Sequence, residues 1–423
     1  MMVTNSSVVA GLFNPKQKII AAGIIGNIIE YYDFALIGFL AVMMGNLFFP
    51  SSSPFLSLLG SFGAFAAGMI MRPIGAAIFG HIGDRVGRRF ALLSSLIFMA
   101  FPTFLIGLLP TYAQIGITAP ILLVLLRMIQ GLSVGGEYAS SIVYLVEQSS
   151  PGRQNLYGSF VSMGAKIGMA LGSGLCGALL WYFGENTMGE WGWRIPFILS
   201  IFIAMAGIYL RRGLSDDYQP NEEKTIPIVA IFRHHRKAFG QFLVVASVIW
   251  MLYYTLFIYL PIWLQGSAGL SKAQSGQINI FSIVMGVIFI PIMAILADKV
   301  GSIRVMKMAA LATAVGIFPI LYIMIHGGFL GALFATFMMV VLLCAYQAPI
   351  FAATVEGIDH HGFRASFTAL ILGSAAGIVG GITPALMTSL VELSHDPYSP
   401  SYLIGLSSLI AWSVLNRIRV LKV

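Results

Sequence analysis

Long apolar runs separated by short polar turns make up almost the whole chain. We count twelve such runs, at residues 18–49, 55–82, 90–110, 117–147, 154–183, 195–212, 238–265, 274–297, 305–326, 328–355, 365–391 and 399–417. A helix of about 20 residues crosses a hydrocarbon layer of about 30 Å. Continuous apolar runs favour helices over the alternating strands of a membrane barrel. The pattern therefore predicts an all-α polytopic membrane protein with twelve transmembrane helices.

Two charged turns half a chain apart resemble each other. Residues 80–89 read GHIGDRVGRR and residues 295–304 read ILADKVGSIR, so Asp84 and Asp298 are 298 − 84 = 214 positions apart in a chain of 423. Six runs lie on each side of a charged stretch at 213–237. We predict an N-terminal six-helix bundle (1–212), a cytoplasmic linker (213–237) and a C-terminal six-helix bundle (238–423). Duplicated halves in a membrane are typical of transporters.

Glycines at four-residue spacing also occur twice, at 164, 168 and 172 in the fifth run and at 373, 377 and 381 in the eleventh. Their offset of 373 − 164 = 209 supports the duplication independently. Small residues at this spacing let helices approach closely. The pattern is compatible with a moving interface between the halves, and static packing would produce it equally well.

The distribution of positive charge predicts the orientation. If the N-terminus is inside, almost all lysines and arginines fall on the inner side, Arg72 and Arg211 among them, and only Arg194 and Lys272 fall outside. Lysine and arginine accumulate in cytoplasmic loops. We therefore expect both termini in the cytoplasm and the chain in a bacterial cytoplasmic membrane. The net charge of +8 then reflects topology and contact with acidic lipid, and requires no nucleic-acid partner.

Composition excludes most other classes. Hydrophobic residues are 58% and charged residues 9% of the chain, against about 25% charged residues in soluble domains. The two cysteines, Cys176 and Cys344, lie inside predicted spans, where a disulfide or a metal site is not expected. No spacing of metal ligands or of a nucleophile and base indicates an enzyme. We expect no cofactor apart from a proton as coupling ion.

Five ionisable residues lie at membrane depth, all in the first half: Glu30, Asp33, Arg127, Glu137 and Lys166. Each would cost about 2.5–3.5 kcal/mol if it faced lipid. We therefore predict that they share a hydrated cavity. One hypothesis is that they form structural ion pairs; the other is that one acid carries a proton, with Asp33 beside Arg127 and protonation releasing the arginine.

The second half has no formal charge at mid-depth. It offers polar and aromatic side chains instead, notably Trp250, Tyr253, Tyr254 and Gln347. An aromatic face can hold a cationic group, and a tyrosine can add a hydrogen bond. Ordinary packing accounts for any single one of these residues equally well.

Four further blocks carry a resemblance: residues 26–34 (GNIIEYYDF), 72–75 (RPIG), 127–138 (RMIQGLSVGGEY) and 192–197 (GWRIPF). Together with the paired turns, they resemble the major facilitator superfamily and, within it, the metabolite:proton symporter family. The resemblance implies two pseudo-symmetric six-helix bundles and uptake with protons of solutes such as proline, betaine, α-ketoglutarate, citrate or shikimate. Two departures are Tyr31, where the family usually has tryptophan, and Lys166, which has no family-wide counterpart.

The resemblance also implies site residues. Proton coupling is expected of Glu30, Asp33, Arg127 and Glu137. From the chemistry of the residues themselves, and not from the resemblance alone, substrate contact is expected of Tyr31, Arg127, Tyr138, Lys166, Trp250, Tyr254 and Gln347. A cytoplasmic gate is expected from Asp84, Arg85, Arg89, Asp298 and Lys299, with Asp84 at the N-terminal end of the eleventh helix and Asp298 near the fifth.

The preferred hypothesis is import of a small carboxylate-bearing metabolite by proton symport with alternating access. We expect the protein to be a monomer. The alternatives are export of a drug or metabolite by proton antiport, and a non-transporting receptor. Residues 158–183 contain no proline, unlike the fifth span of typical exporters. Three acids against two bases at mid-depth sum to −1, which fits a zwitterion or cation. An organic acid or a larger polycarboxylate such as a siderophore stays open, because Arg127 and Lys166 can bind carboxylates.

Overall fold

The computed structural model describes residues 15–52, 54–212, 227–358 and 361–418, and every regular element within these ranges is helical. The all-α fold is therefore confirmed. The long helices are α1 (Pro15–Phe48), α2 (Pro54–Arg85), α3 (Arg88–Leu108), α4 (Thr118–Glu147), α5 (Gln154–Thr187), α6 (Arg194–Arg212), α7 (Arg236–Ser267), α8 (Lys272–Val300), α9 (Ser302–His326), α10 (Gly328–Glu356), α11 (Arg364–Ser394) and α12 (Ser399–Arg417).

Eleven of the described helices are long and apolar enough to span a membrane. The exception is α12, a helix of 19 residues at the position of the twelfth predicted span. Several serines, together with Asn416 and Arg417, dilute its apolar residues. It packs against α7 and α9, so its interior face is covered by the C-terminal bundle.

Three wider π-helical turns, two inside long helices and one directly after a helix, were not predicted by the apolar pattern. These turns are Met188–Gly192 after α5, Thr255–Tyr259 in α7 and Ala375–Gly380 in α11. The turn in α11 packs against α7 just before the turn of that helix, because a Cβ placed on Gly380 would lie 2.6 Å from the Tyr254 ring. Such turns are frequent at functional sites, since they locally change the direction of side chains.

Helices α1–α6 pack with one another, and so do α7–α12. Across the two groups, α2 lies against α11 and α5 lies against α8, which is the arrangement expected of a duplicated structure. The division into bundles and linker stays a prediction. Within the expected linker, residues 213–226 lie outside the described ranges, and a short helix, Pro227–His234, follows them.

The two glycine series have different neighbours. In α5, a Cβ on Gly168 would lie 2.3 Å from the Ile28 carbonyl oxygen of α1, so this series packs within the N-terminal group. In α11, a Cβ on Gly373 would lie 2.9 Å from the Ala76 Cβ of α2, across the two groups. The glycine series of α11 therefore lies at the interface between the halves, whereas the series of α5 does not.

One contact between the halves is centred on the buried Asp84 at the end of α2. Its carboxylate accepts hydrogen bonds from the backbone N–H groups of Ala365 (3.0 Å) and Ser366 (2.8 Å), at the N-terminus of α11. Arg88 donates to the same carboxylate at 2.8 Å and also to Glu147 at 3.1 Å. The positive end of the helix dipole and the arginine together hold the negative charge.

The second contact mirrors the first. Asp298, at the end of α8, accepts hydrogen bonds from the backbone N–H groups of Asn155 (2.8 Å) and Leu156 (3.1 Å), at the N-terminus of α5. The Asn155 side chain also donates to this carboxylate at 2.9 Å. No arginine contacts Asp298 within the described part of the chain.

The three basic residues expected in the gate differ in their surroundings. Arg89 donates to the Arg212 carbonyl oxygen at 2.8 Å, within the same half, while Lys299 is exposed and Arg85 is half-buried. The sequence analysis missed Arg88. Its position four residues after Asp84 was the available signal, because residues at that spacing share a helical face.

A buried ion pair lies inside the N-terminal group, away from the interface between halves. Glu137 of α4 accepts hydrogen bonds from Arg211 of α6, Ser95 of α3 and Ser141. Two expectations are wrong here. Glu137 does not line a cavity shared with the other mid-depth charges, and Arg211 is fully buried instead of lying in an inner loop. Gly26 leaves the space for this pair, because a Cβ there would overlap both side chains.

We expect Asp84→Asn to lower the midpoint of thermal unfolding of the purified protein more than Asp298→Asn does. Asparagine removes the negative charge that two N–H groups and Arg88 contact, a loss of about 1.5–3 kcal/mol for each charged hydrogen bond. Asp298 lacks the arginine, so its substitution is the matched control. Equal effects of the two variants would contradict the stronger role of Asp84.

We expect Arg211→Met to destabilise the protein by about 3–5 kcal/mol, because Glu137 would remain buried without a counter-charge. The double variant Glu137→Gln with Arg211→Met should recover much of the loss, because the uncompensated charge is removed. Thermal unfolding in detergent measures both. A double variant no more stable than Arg211→Met alone would show that the ion pair is not the cause.

Candidate functional site

The first component of the site is an ion pair that reaches the interface between the halves. Arg72 of α2 donates to the Glu30 carboxylate of α1 at 3.1 Å, and both side chains are almost completely buried. Glu30 and Arg72 line a cavity together with Trp250 of α7. The guanidinium also lies 5.0 Å from the centre of the Phe34 ring. The second carboxylate oxygen of Glu30 has no hydrogen-bond partner among the described residues.

This position corrects the expected location of Arg72. The charge distribution assigned it to the inner side of the membrane, but it precedes the end of α2 at Arg85 by 13 residues, or about 20 Å of helix. Because α2 extends 18 residues before Arg72 and 13 residues after it, Arg72 lies near the middle of the helix. The sequence signal that could have found it is the strong apolar run on both of its sides.

The second component lies within the N-terminal group. Arg127 of α4 donates to Asp33 of α1 at 2.6 Å, and Gln130 donates to the other Asp33 oxygen at 3.1 Å. Gln130 also donates to Thr103 of α3 at 2.6 Å. Both carboxylate oxygens of Asp33 are therefore occupied, in contrast to those of Glu30. The predicted proximity of Asp33 and Arg127 is present.

Two adjacent cavities connect these components. One is lined by Asp33 and Arg127 and lies among α1, α2 and α4. The other is lined by Glu30, Tyr31, Tyr138 and Trp250 and lies between the two halves. Arg72 and Val134 line both cavities. Because Arg72 lines both cavities, a change of charge at Asp33 occurs next to the cavity that contains Glu30, and a change at Glu30 occurs next to the cavity that contains Asp33.

The third component is Lys166, which extends from α5 toward the C-terminal half. Its ammonium donates a hydrogen bond to Ser162 at 3.0 Å and lies 5.9 Å and 5.7 Å from the centres of the Tyr253 and Phe257 rings. No acidic side chain lies within 4.0 Å of it among the described residues. Its exposed fraction is 2%.

Gln347 of α10 completes this region. Its side-chain oxygen accepts a hydrogen bond from Ser162 at 3.4 Å, while its amide nitrogen is buried and has no partner among the described residues. Lys166 and Gln347 thus both contact Ser162, Lys166 through its ammonium and Gln347 through its side-chain oxygen, and both retain unused N–H groups among the described residues. Donors arranged in this way can bind a carboxylate.

Aromatic rings join the Lys166 region to the Glu30 region. The ring of Tyr138 of α4 packs edge-on against Trp250 of α7 at 5.8 Å between centroids, and Trp250 packs against Tyr253, the ring beside Lys166, at 5.3 Å. Tyr31 lies 6.3 Å from Tyr138, and Tyr254 lies 6.2 Å from Trp250. The predicted substrate-contacting residues other than Arg127 therefore form one continuous group around the interface between the halves.

The balance of buried charge differs from the expectation of −1. The three acids pair with three arginines, as Glu30–Arg72, Asp33–Arg127 and Glu137–Arg211. Lys166 remains as an additional base that contacts no acid among the described residues. Three acids against four bases sum to +1, so the arrangement can accept one further negative charge.

Comparison with known proteins is consistent with this geometry. Residues 23–384 match the sequence pattern of the Major Facilitator Superfamily. The proline/betaine transporter of Salmonella typhimurium is 31% identical over 402 residues, which cover 91% of this chain and 80% of that protein. The glycine betaine/proline/ectoine/pipecolic acid transporter OusA of Dickeya dadantii is 30% identical with the same coverage. A putative proline/betaine transporter of Staphylococcus aureus is 32% identical over 415 residues, 95% of this chain and 87% of that one.

Solved structures share the fold. The proton:xylose symporter XylE bound to 6-bromo-6-deoxy-D-glucose superposes with a TM-score of 0.76 at 16% sequence identity, covering 95% of each chain. The transporter FucP in its outward conformation gives a TM-score of 0.71 at 13% identity, covering 95% of this chain and 99% of that one. The resemblance drawn from the motifs is thereby confirmed. The chain belongs to the Major Facilitator Superfamily and is an integral membrane transport protein, not an enzyme.

Proposed function

We propose that this protein imports a small zwitterionic solute that carries a carboxylate, together with protons, across a bacterial cytoplasmic membrane. The observation that carries the proposal is that the packed rings of Tyr138, Trp250 and Tyr253 join two chemically different regions. One region offers the unused donors of Lys166 and Gln347, and the other offers Glu30 among aromatic rings. A solute with both charges satisfies both regions.

The anion-binding region would hold the carboxylate. Lys166 and Gln347 supply N–H groups from opposite halves, so a bound carboxylate bridges the halves. Hydrogen bonds to charged groups are about twice as strong as those between neutral groups. A solute without a carboxylate leaves the buried ammonium without a counter-charge.

The cation-binding region would hold a positively charged nitrogen. Trp250, Tyr138 and Tyr31 line the cavity that contains Glu30, and aromatic faces bind quaternary ammonium groups. The names of the relatives include proline, betaine, ectoine and pipecolic acid, all of which combine a carboxylate with a basic or quaternary nitrogen. An organic acid such as citrate would use only the anion-binding region, so a zwitterion is the better fit.

Protons would be taken up on the two carboxylates of α1. Glu30 has an oxygen without a partner and lines the cavity between the halves, whereas Asp33 is held by Arg127 and Gln130. Protonation of Asp33 weakens its ion pair with Arg127, and Arg72 borders both cavities. Symport therefore requires only residues of the chain and the proton, with no other cofactor.

Alternating access would move the two groups of helices about this site. The central side chains are almost completely buried, with exposed fractions of 1% for Glu30 and 2% for Lys166. At the cytoplasmic end, Asp84 and Asp298 hold α11 and α5, so release of these contacts would open the inner side. We expect a monomer with both termini in the cytoplasm to carry out this cycle.

The test is uptake by the purified protein in liposomes. With an inward proton gradient, glycine betaine and proline should accumulate, and a protonophore should abolish the accumulation. Choline, citrate and shikimate serve as comparison solutes, because each lacks one of the two charges. Accumulation of citrate in preference to both zwitterions would overturn the substrate class. Solute efflux driven by the same gradient would instead support proton antiport, the alternative function.

We expect Asp33→Asn to abolish accumulation driven by a pH gradient while sparing exchange of labelled for unlabelled solute. The neutral amide cannot gain or lose the proton, but exchange requires only binding and the movement of the loaded protein. Glu190→Gln, at an exposed acid outside the cavities, is the control and should behave as wild type. Accumulation at the wild-type level by Asp33→Asn would remove Asp33 from coupling.

A further inference from the structure

Lys166 is a buried cation that is surrounded by a hydroxyl group and aromatic rings, with no carboxylate beside it among the described residues. The buried arginines at mid-depth each contact a carboxylate, whereas the ammonium of Lys166 has Ser162 as its hydrogen-bond partner and two aromatic rings beside it. Two of its three N–H groups remain unused among the described residues. This arrangement neutralises the charge only in part, because cation–π contacts do not replace a counter-ion.

The side chain crosses from one half into the other. Gly286 of α8 makes the crossing feasible, since a Cβ at that position would lie 2.6 Å from Lys166 Cε and 3.2 Å from Cδ. Tyr253 and Phe257 of α7 stand 4.8 Å apart between centroids and form the other wall. We call Tyr253, Phe257 and Gly286 the lysine socket. All three belong to the C-terminal half, so the ammonium enters the socket only when the halves are together.

We propose that Lys166 and its socket make closure of the two halves conditional on a carboxylate in the transported solute. When the halves close around an empty site, the ammonium is buried without a counter-charge, which penalises the closed arrangement. A carboxylate bound by Lys166 and Gln347 removes that penalty. The inference rests on the proposed function and adds to it the residue pair, Lys166 and Gly286, that selects for the anionic group.

The natural Cys344 reports closure directly. Its thiol lies on α10, 4.0 Å from the Gly286 carbonyl oxygen, and its exposed fraction is 1%. When the halves part, this thiol becomes reachable from the cavity, so its rate of maleimide labelling measures opening. The other cysteine, Cys176, is buried within the N-terminal group, and a Cys176→Ser background removes its contribution.

The experiment compares glycine betaine with choline, which keeps the trimethylammonium group and replaces the carboxylate by a hydroxymethyl group. Binding to the purified full-length protein is measured by calorimetry, and labelling of Cys344 is measured with each ligand. In the wild type, glycine betaine should bind about 10- to 100-fold more tightly than choline, the range of a charged hydrogen bond, and only glycine betaine should slow the labelling. Lys166→Met should bind the two ligands within about threefold of each other and lose the selective protection.

Gly286→Ala should reproduce the effect of Lys166→Met, because its methyl group occupies the place of Lys166 Cε. Gly276→Ala on the same helix, where an added Cβ has no neighbour within 4 Å, is the matched control and should equal the wild type. In a cycle with Lys166→Ala, Gly286→Ala should change glycine betaine affinity less than twofold, since the side chain it displaces is gone. Independent, multiplicative effects of the two substitutions would overturn the proposed link.

Two outcomes separate this inference from the proposed function. If wild-type protein binds no carboxylate-bearing zwitterion, both are wrong. If it binds glycine betaine, and a folded Lys166→Met protein still prefers glycine betaine over choline by the wild-type factor, the inference alone is wrong. Equal protection of Cys344 by choline and glycine betaine in the wild type would likewise overturn the role of the carboxylate in closure.

Discussion

A charge inside a membrane protein must meet an opposite charge, and this constraint organises the N-terminal half. Glu30–Arg72 joins α1 to α2, Asp33–Arg127 joins α1 to α4, and Glu137–Arg211 joins α4 to α6. Each pair therefore sets the rotation of two helices as well as neutralising charge, because a helix turned away would leave a buried ion uncompensated. Lys166 is the exception, because it forms no ion pair with an acid among the described residues. The proposal for solute selection rests on this exception.

The two halves share a fold but divide the chemistry. At one end of the bundles both halves place an aspartate, Asp84 or Asp298, against the N-terminus of a helix of the other half. At mid-depth the buried charges belong to the N-terminal half, while the C-terminal half contributes Trp250, Tyr254 and Gln347. A solute between the halves therefore contacts ionic groups on one side and aromatic or amide groups on the other.

Much of the fold followed from the apolar pattern, because length and composition alone decide whether a helix can span a membrane. Eleven predicted spans correspond to helices that satisfy those criteria, and the twelfth is the more polar α12. The π-helical turns in α7 and α11 were not predictable, since one extra residue in a turn leaves the apolar run unchanged. The spacing of the glycines in α5 also did not predict which helix packs against them, because small residues permit close approach of any helix.

The amino-acid sequence by itself determined which charges exist, their order along the chain and the duplication of the turn around Asp84. The sequence also predicted that Asp33 and Arg127 lie next to each other. Only the tertiary structure decided that Arg72 and Arg211 are buried partners of Glu30 and Glu137, and that Lys166 contacts no acid in the described part of the chain. The reason is geometric: distance along a helix gives approximate depth, but the partner of a charge depends on helix tilt, rotation and length beyond the membrane, which are set by packing against the neighbouring helices.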